Sequence, residues 1–214
     1  MSTKDLLVVE LKRSQGIWVS GESLSARLSV SRSAIWKHVS KLRDQGYLIE
    51  SSPKKGYRLK EAPDLLLPEE IQEGLKTLVL GQKDIHHFKE TASTNTTAKE
   101  LAANGAPDGT LVVAEGQSHG KGRLGREWFS PGGEGIYLSL ILRPNLSPAD
   151  APKITLLTGV AAAETLRSST GLPVEIKWPN DILLKGKKLA GILTEISTEM
   201  DAIDYVIIGF GLNV

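Results

Sequence analysis

Residues 116–133, GQSHGKGRLGREWFSPGG, interleave glycines with three cations, Lys121, Arg123 and Arg126, and lie between two stretches that read as strands, 110–115 and 135–143. Glycine lets backbone N–H groups come close to an anion, and arginine forks match phosphate or carboxylate oxygens two at a time. The stretch is therefore equipment for handling anions. Gly120, Gly122 and Gly125 also satisfy G-x-G-x-x-G, the pattern of a dinucleotide-binding turn. That turn works only where a strand feeds a helix whose N-terminus holds the pyrophosphate, and here the glycines run into Glu127-Trp-Phe-Ser-Pro131, which cannot open a helix. A Walker A loop fails as well, because no Gly-Lys-Ser/Thr closes the stretch. A merely solvated basic loop would not need so many glycines beside so many cations.

Outward from this loop, the chain of 214 residues is long enough for one large domain or two small ones. With 40% hydrophobic and 24% charged residues it has the composition of an ordinary soluble globular protein, and the absence of cysteine excludes disulfides, thiolate catalysis and cysteine-ligated zinc. His38, His86, His87 and His119 show no metal-ligand spacing, so no metal cage built from protein side chains is expected. The polar start and the lack of a long apolar run predict neither signal peptide nor membrane span, hence a cytoplasmic protein. The net charge of +1 conceals an asymmetry: residues 1–62 carry 12 Lys or Arg against 6 Asp or Glu, and the remainder 14 against 19. A basic first third on an acidic remainder points to a small nucleic-acid-binding module attached to something else.

Within that basic third the apolar spacing predicts helices over 5–14, from 20 to Leu28, and over 32–45, the last with Ile35, Val39 and Leu42 inward and Arg32, Ser33, Trp36 and Lys37 outward. Two short helices about the tight 29–31 turn form the helix-turn-helix pattern. The period then changes to alternation around a Pro53-Lys-Lys-Gly56 turn, which predicts a two-stranded wing with Lys54 and Lys55 at its tip, suited to phosphate contacts. Residues 1–62 are thus expected to be a winged helix-turn-helix DNA-binding domain, 63–83 a linker and helix, and 84–214 a second domain. In the latter, a strand over 85–89 leads to Ser93-Thr94-Asn95, which reads first as the N-cap of a helix ending near Ala103. A long helix over 151–168, a hairpin turning at 185–187 and a last strand over 205–210 complete an α+β domain with a mixed or antiparallel sheet.

With these motifs in order, the chain resembles the biotin–protein ligases, in particular the bifunctional kind that is also the biotin operon repressor. The residues that carry the resemblance are Gly120-Lys-Gly-Arg-Leu-Gly-Arg126 with Glu127-Trp-Phe-Ser-Pro131, Lys177-Trp-Pro-Asn-Asp181 followed by Lys188-Leu-Ala-Gly-Ile-Leu193, the triplet Ser93-Thr94-Asn95, and Gly209-Phe-Gly-Leu-Asn213. The resemblance implies a mixed-sheet catalytic domain of the biotin/lipoate ligase type. It implies that biotin and MgATP give biotinyl-5′-AMP and pyrophosphate, and that the biotinyl group then passes to a lysine of a biotin carboxyl carrier protein. It further implies roles for single residues. Lys188 would bond the biotin carboxylate and then the adenylate phosphate, Arg123 and Lys121 would clamp carboxylate and phosphate, and Gly120 and Gly122 would bring backbone to biotin. Ser93, Thr94, Asn95 and Gln117 would bond the ureido group and its surroundings. Arg126 would meet the triphosphate, Trp128 would cover the ligand, Asn180 and Asn213 would face the adenine, and Asp181 the magnesium or the acceptor lysine.

Arg32, Ser33, Trp36, Lys37, Lys54 and Lys55 would contact operator DNA, with a homodimer forming when biotinyl-AMP orders the glycine loop. Two substitutions depart from the family's usual pattern, Lys121 in place of arginine and Leu124 in place of a residue that is basic in some members. The family also continues into further strands and a small C-terminal barrel, so a sheet ending at Val214 is expected to lack partners. Lipoate ligases and a ligand-sensing regulator without catalysis are the competing functions.

Overall fold

In the computed structural model, which describes residues 3–199 and 202–214, the chain divides into two units, Met1–Leu65 and Leu66–Val214. In the first, α1 (Thr3–Arg13), α2 (Gly21–Leu28) and α3 (Arg32–Asp44) each turn one apolar stripe inward. Leu7, Val8 and Leu11 come from α1, Leu24 from α2, and Ile35, Val39 and Leu42 from α3. Serines start the second and third helices: Ser20 Oγ accepts from the Ser23 N–H at 3.0 Å, and Ser31 Oγ accepts from the Ala34 N–H at 3.2 Å. Each cap satisfies a donor that the first helical turn leaves without an intrahelical partner. β1 (Leu48–Ser52) and β2 (Gly56–Glu61) form the antiparallel wing. A backbone bridge from Val19 to Tyr57 ties the wing to the stretch before α2. Gly56 makes this approach possible, since a Cβ there would sit 2.0 Å from the Val19 carbonyl oxygen.

The second unit begins earlier than its sequence implies. The Leu66 N–H donates to Glu115 Oε1 at 2.9 Å, Leu67 is buried, and α4 (Pro68–Gly74) packs on β3 (Ile85–Phe88). Much of the stretch expected to be linker is thus bonded into the unit that carries the sheet. Seven strands follow the order β3-β4-β5-β9-β8-β7-β6, where β4 is Leu111–Ala114, β5 Gly135–Leu142, β6 Glu175–Lys177, β7 Asp181–Leu184, β8 Lys187–Glu199 and β9 Ala202–Asn213. Only β3 and β4 pair in parallel, so the sheet is mixed. β9 extends beyond the expected 205–210 and lies between β5 and β8, hydrogen-bonded along both edges. This last strand is therefore paired on both sides, by β5 and by the long β8.

Alternation along β9 sorts its side chains onto two faces. Tyr205 and Ile207 join Ala98 and Ala102 of α5 (Thr94–Ala103). Val206 and Ile208 join Ile154 of α6 (Ala151–Thr170), and Leu212 lies with Ala163 of the same helix. The two helices consequently cover opposite faces. On the α5 face the apolar residues give way to Gly209 and Gly211, and the site forms where that face turns to glycine. Among the described residues no helix is long and apolar enough to cross a membrane.

Candidate active site

Gly209 and Gly211 point the same way from β9, and Gly191 of β8 pairs with Gly211. A Cβ on Gly209 would lie 2.1 Å from Asn95 Oδ1, and one on Gly211 would lie 2.6 Å from Trp128 Nε1. On Gly191 it would lie 2.9 Å from Trp128 Cζ3. The strands are bare here so that an amide and an indole can rest directly on the sheet, a close approach that only glycine permits. The Trp128 Nε1–H is buried there without a hydrogen-bond partner.

Above this floor the 116–133 stretch folds back on itself. The Gln117 N–H donates to Ser130 O at 2.9 Å, the Trp128 N–H to Gly120 O at 2.8 Å and the Gly122 N–H to Arg126 O at 2.7 Å. An irregular hairpin results, capped by a single 3₁₀ turn at Arg123–Gly125 in which Leu124 takes φ +57. Gly120 allows the two arms to close, since a Cβ there would stand 2.3 Å from the Trp128 carbonyl oxygen. It packs the hairpin and does not line the cleft.

Ser93, Asn95, Gln117, Lys121, Gly122, Arg123, Trp128, Asn180 and Lys188 all line one small cleft, with a volume of about 50 Å³. Arg123 Nη1 donates to Asn180 Oδ1 at 2.8 Å, Asn180 Nδ2 to Asp181 Oδ1 at 3.0 Å, and Lys188 Nζ lies 2.8 Å from the same Asp181 oxygen. Lys188 Nζ also stands 5.0 Å from the centroid of the Trp128 ring. The loop cation and the hairpin amine thus meet through Asn180 and Asp181, which the β6–β7 turn supplies. That turn, with a cis Trp178–Pro179 peptide, separates β6 from β7.

The polar triplet is not an ordinary cap. Ser93 makes no capping bond with its side chain, and all three residues are buried. The Thr94 N–H instead donates to Gln117 Oε1 at 2.8 Å, while Gln117 Nε2 donates to Ser130 Oγ at 2.8 Å. Ser130 Oγ donates in turn to Trp128 O at 2.9 Å. Thr94 is enclosed behind the cleft wall, where its Oγ1 lies 2.8 Å from Ser139 Oγ. Sequence reasoning missed Ser139 and Glu195, and it quoted Ser130 and the floor glycines within motifs without giving them a role. Only the floor has a visible signal, glycines two apart inside a strand pattern.

Three expected residues do not line this cleft. Arg126 is exposed on the outgoing arm of the hairpin and does not line the cleft. Asp181 lies against Lys188, its Oδ1 engaged by both Lys188 and Asn180. Asn213 lines a neighbouring hollow with Trp128, Lys188, Glu134 and Tyr137. In that hollow burial and the nearby Glu134 carboxylate push the Tyr137 phenol above its usual range. Among the described residues no cluster of three or more His, Asp or Glu side chains suits a metal ion.

In the first unit Arg32, Ser33, Trp36 and Lys37 are exposed on α3, as are Lys54 and Lys55 in the turn of the wing. Arg32, Trp36, Lys54 and Tyr57 border one hollow between helix and wing. The wing is braced from behind. The Arg58 guanidinium lies 4.8 Å from the centroid of the Trp18 ring and Lys55 Nζ 5.9 Å from it. Arg58 also pairs with Glu50 across the two strands, and that hydrogen bond holds the Glu50 carboxyl below its ordinary range.

The chain is 49% identical over 197 residues to the bifunctional ligase/repressor BirA of Bacillus subtilis, covering 92% of this chain and 60% of that protein. It is 38% identical over 201 residues to the protein of the same name from Escherichia coli, with the same coverage. It therefore spans 60% of the length of these two relatives. Among solved structures, the biotin protein ligase of Aquifex aeolicus in complex with biotin and ATP superposes with a TM-score of 0.51 at 36% identity, over 62% of this chain and 53% of that one. The Leishmania major enzyme in complex with biotinyl-5-AMP gives 0.52 at 29% identity, over 62% and 57%. The family description HTH domain matches residues 3–58. Residues 87–213, more than half of the chain and all of the cleft just described, match the biotin/lipoate A/B protein ligase family, and to that family the chain belongs.

Proposed function

We propose that this protein joins biotin to ATP and passes the activated acyl group to a carrier protein, and that its first unit binds operator DNA as a biotin-responsive repressor. One observation supports the ligase reading: Lys188, Arg123 and Lys121 bring positive charge to a cleft also lined by the neutral amides Asn95 and Gln117. In the first step a biotin carboxylate oxygen attacks the α-phosphorus of ATP and pyrophosphate leaves. In the second a lysine amine of the biotin carboxyl carrier protein attacks the acyl carbon and AMP leaves. Both steps gather negative charge on oxygens of the same mixed anhydride, so fixed cations lower both barriers.

Arg123 is suited to this work because its present partner is the neutral Asn180 amide. Exchanging that bond for a phosphate or carboxylate replaces a neutral hydrogen bond with a charge-assisted one, roughly twice as strong. Lys188 is held ready between the Asp181 carboxylate and the face of the Trp128 ring. Trp128 would lie along the ligand and keep water from the anhydride. Asn213 and the hollow beside Trp128 would take the adenine. Magnesium would enter with the triphosphate. Because Asp181 is already engaged by two partners, the ion would be held by phosphate oxygens rather than by a protein cage.

A homodimer formed on adenylate binding would present two winged helices to a two-fold operator, and the working compartment would be the cytoplasm. The competing substrate, lipoate, carries a dithiolane head with no hydrogen-bond donor, which would leave the polar wall unmatched. The test is ATP–pyrophosphate exchange by the purified chain with biotin, with lipoate and with neither. Exchange dependent on biotin is expected; exchange with lipoate alone, or with neither acid present, would reverse the assignment.

A further inference from the structure

In the first unit α3 turns Ile35, Val39 and Leu42 into the core and leaves Arg32, Ser33, Trp36, Lys37 and Lys41 exposed along its other face. That face is polar and cationic except at Trp36. Among the described residues Trp36 is the one large apolar side chain exposed on this helix, with 60% of its surface open. The unit's other tryptophan is covered: the Arg58 guanidinium stands 4.8 Å and Lys55 Nζ 5.9 Å from the centroid of the Trp18 ring. Among the described residues no cation stands over the Trp36 ring. Trp36 borders, with Arg32 and Lys54, the hollow of about 380 Å³ between helix and wing, where Glu22 is the one carboxylate.

An indole set among cations fits a polyanion that also offers an apolar spot. Duplex DNA answers this in one place. Its charge lies on the phosphates, its base edges are polar, and the exception in the major groove is the C5-methyl group of thymine. An indole laid on the edges of guanine, cytosine or adenine would desolvate donors and acceptors without giving most of them a partner, at a cost. Laid on a thymine methyl it removes apolar surface from water on both sides. The minor groove carries no methyl. Trp36 stands one turn into α3, in the N-terminal half that a recognition helix presents to base edges.

We infer that Trp36 is a specificity-determining residue that packs its ring on a thymine methyl, so that the duplexes preferred by the first unit carry thymine at the position facing it. The inference rests on the DNA-binding reading of that unit and adds to it the base that the helix requires at one position. Lysines beside the ring hold the phosphate backbone whatever the sequence. The indole supplies a preference that they do not.

The experiment uses the full chain in the presence of biotin and MgATP. A duplex is selected from a random pool, and each of its thymines in turn is replaced by deoxyuridine, which differs only in lacking the methyl. Fluorescence anisotropy then gives the affinities. For the parent at least one replacement is expected to weaken binding about fourfold or more, the worth of one buried methyl. Trp36→Ala and Trp36→Gln should each bind thymine and deoxyuridine at that position to within about 1.5-fold, as a double-mutant cycle requires of two partners in contact. Trp36→Phe, which keeps an aromatic face, should retain a penalty. Because the indole is uncharged, the slope of log affinity against log salt should not change in Trp36→Ala. Thermal unfolding establishes that each variant is folded before its ratio is read. A methyl penalty that survives in Trp36→Ala or Trp36→Gln overturns the inference. So does a shallower salt slope in Trp36→Ala, which would make its loss one of backbone contact. A parent that selects a duplex yet ignores every methyl removes the inference alone and leaves DNA binding intact. A parent that selects no duplex removes both.

Discussion

At the scale of single residues, context sets Lys188, the proposed ligand lysine, apart from its neighbours. It is one of three lysines around a hairpin turn, and Lys185 and Lys187 are exposed. What distinguishes Lys188 is an Asp181 oxygen at 2.8 Å and an indole face at 5.0 Å. With its side chain 43% exposed, its loss should leave the fold standing. Lys188→Met is expected to reduce biotin-dependent pyrophosphate exchange by about 100- to 1000-fold, the cost of one preorganised donor at a developing anion, with little change in melting temperature. Equal exchange by parent and variant would assign the charge to another residue. The sequence pointed to Lys188, Arg123 and Asn180 through local motifs, each a few residues long. It did not reveal Ser139 or Glu195, which meet Asn95 from strands far along the chain. A buried polar network has no period, so neither alternation nor helical spacing marks its members.

At the scale of elements, legibility followed how local the cause was. α5 ends near its expected residues because its polar start and the Asn104-Gly105 stop are written next to it. The Val19–Tyr57 bridge and the turn that divides β6 from β7 arise from tertiary pairing and carry no such mark. The placement of β9 at the centre of the sheet is likewise decided by its pairing with the distant β5. The wing was legible, since two alternating runs flank a Pro-Lys-Lys-Gly turn, although the Trp18 brace behind it was not. If Lys54 and Lys55 each meet a phosphate, replacing both by alanine should weaken operator and unrelated duplexes alike. The slope of log affinity against log salt should become shallower by about 2. Fluorescence anisotropy across a salt series reads this directly. An unchanged slope would take the wing off the phosphate backbone, and a loss confined to the operator would mean that the lysines read bases.

At the scale of the whole molecule, the charge division between residues 1–62 and the remainder suggested a basic module joined to an acidic one, and the chain forms two units, Met1–Leu65 and Leu66–Val214. The proposed link between their two functions is assembly. Sedimentation of the protein alone, with biotin, and with biotin plus MgATP is expected to give a monomer in the first case and a dimer in the last. One mass under all three conditions would disconnect repression from ligand binding.

The position of β9 also bears on how the protein comes into being. Residues 202–213 enter between β8, made just before them, and β5, made some sixty residues earlier, and they bring the glycines on which Asn95 and Trp128 rest. On a translating ribosome the first unit can fold as soon as its own residues emerge. The cleft must wait for the nascent chain to deliver this strand. A polypeptide interrupted before it would already hold a folded first unit, while its open sheet would expose unpaired edges to chaperones and to aggregation.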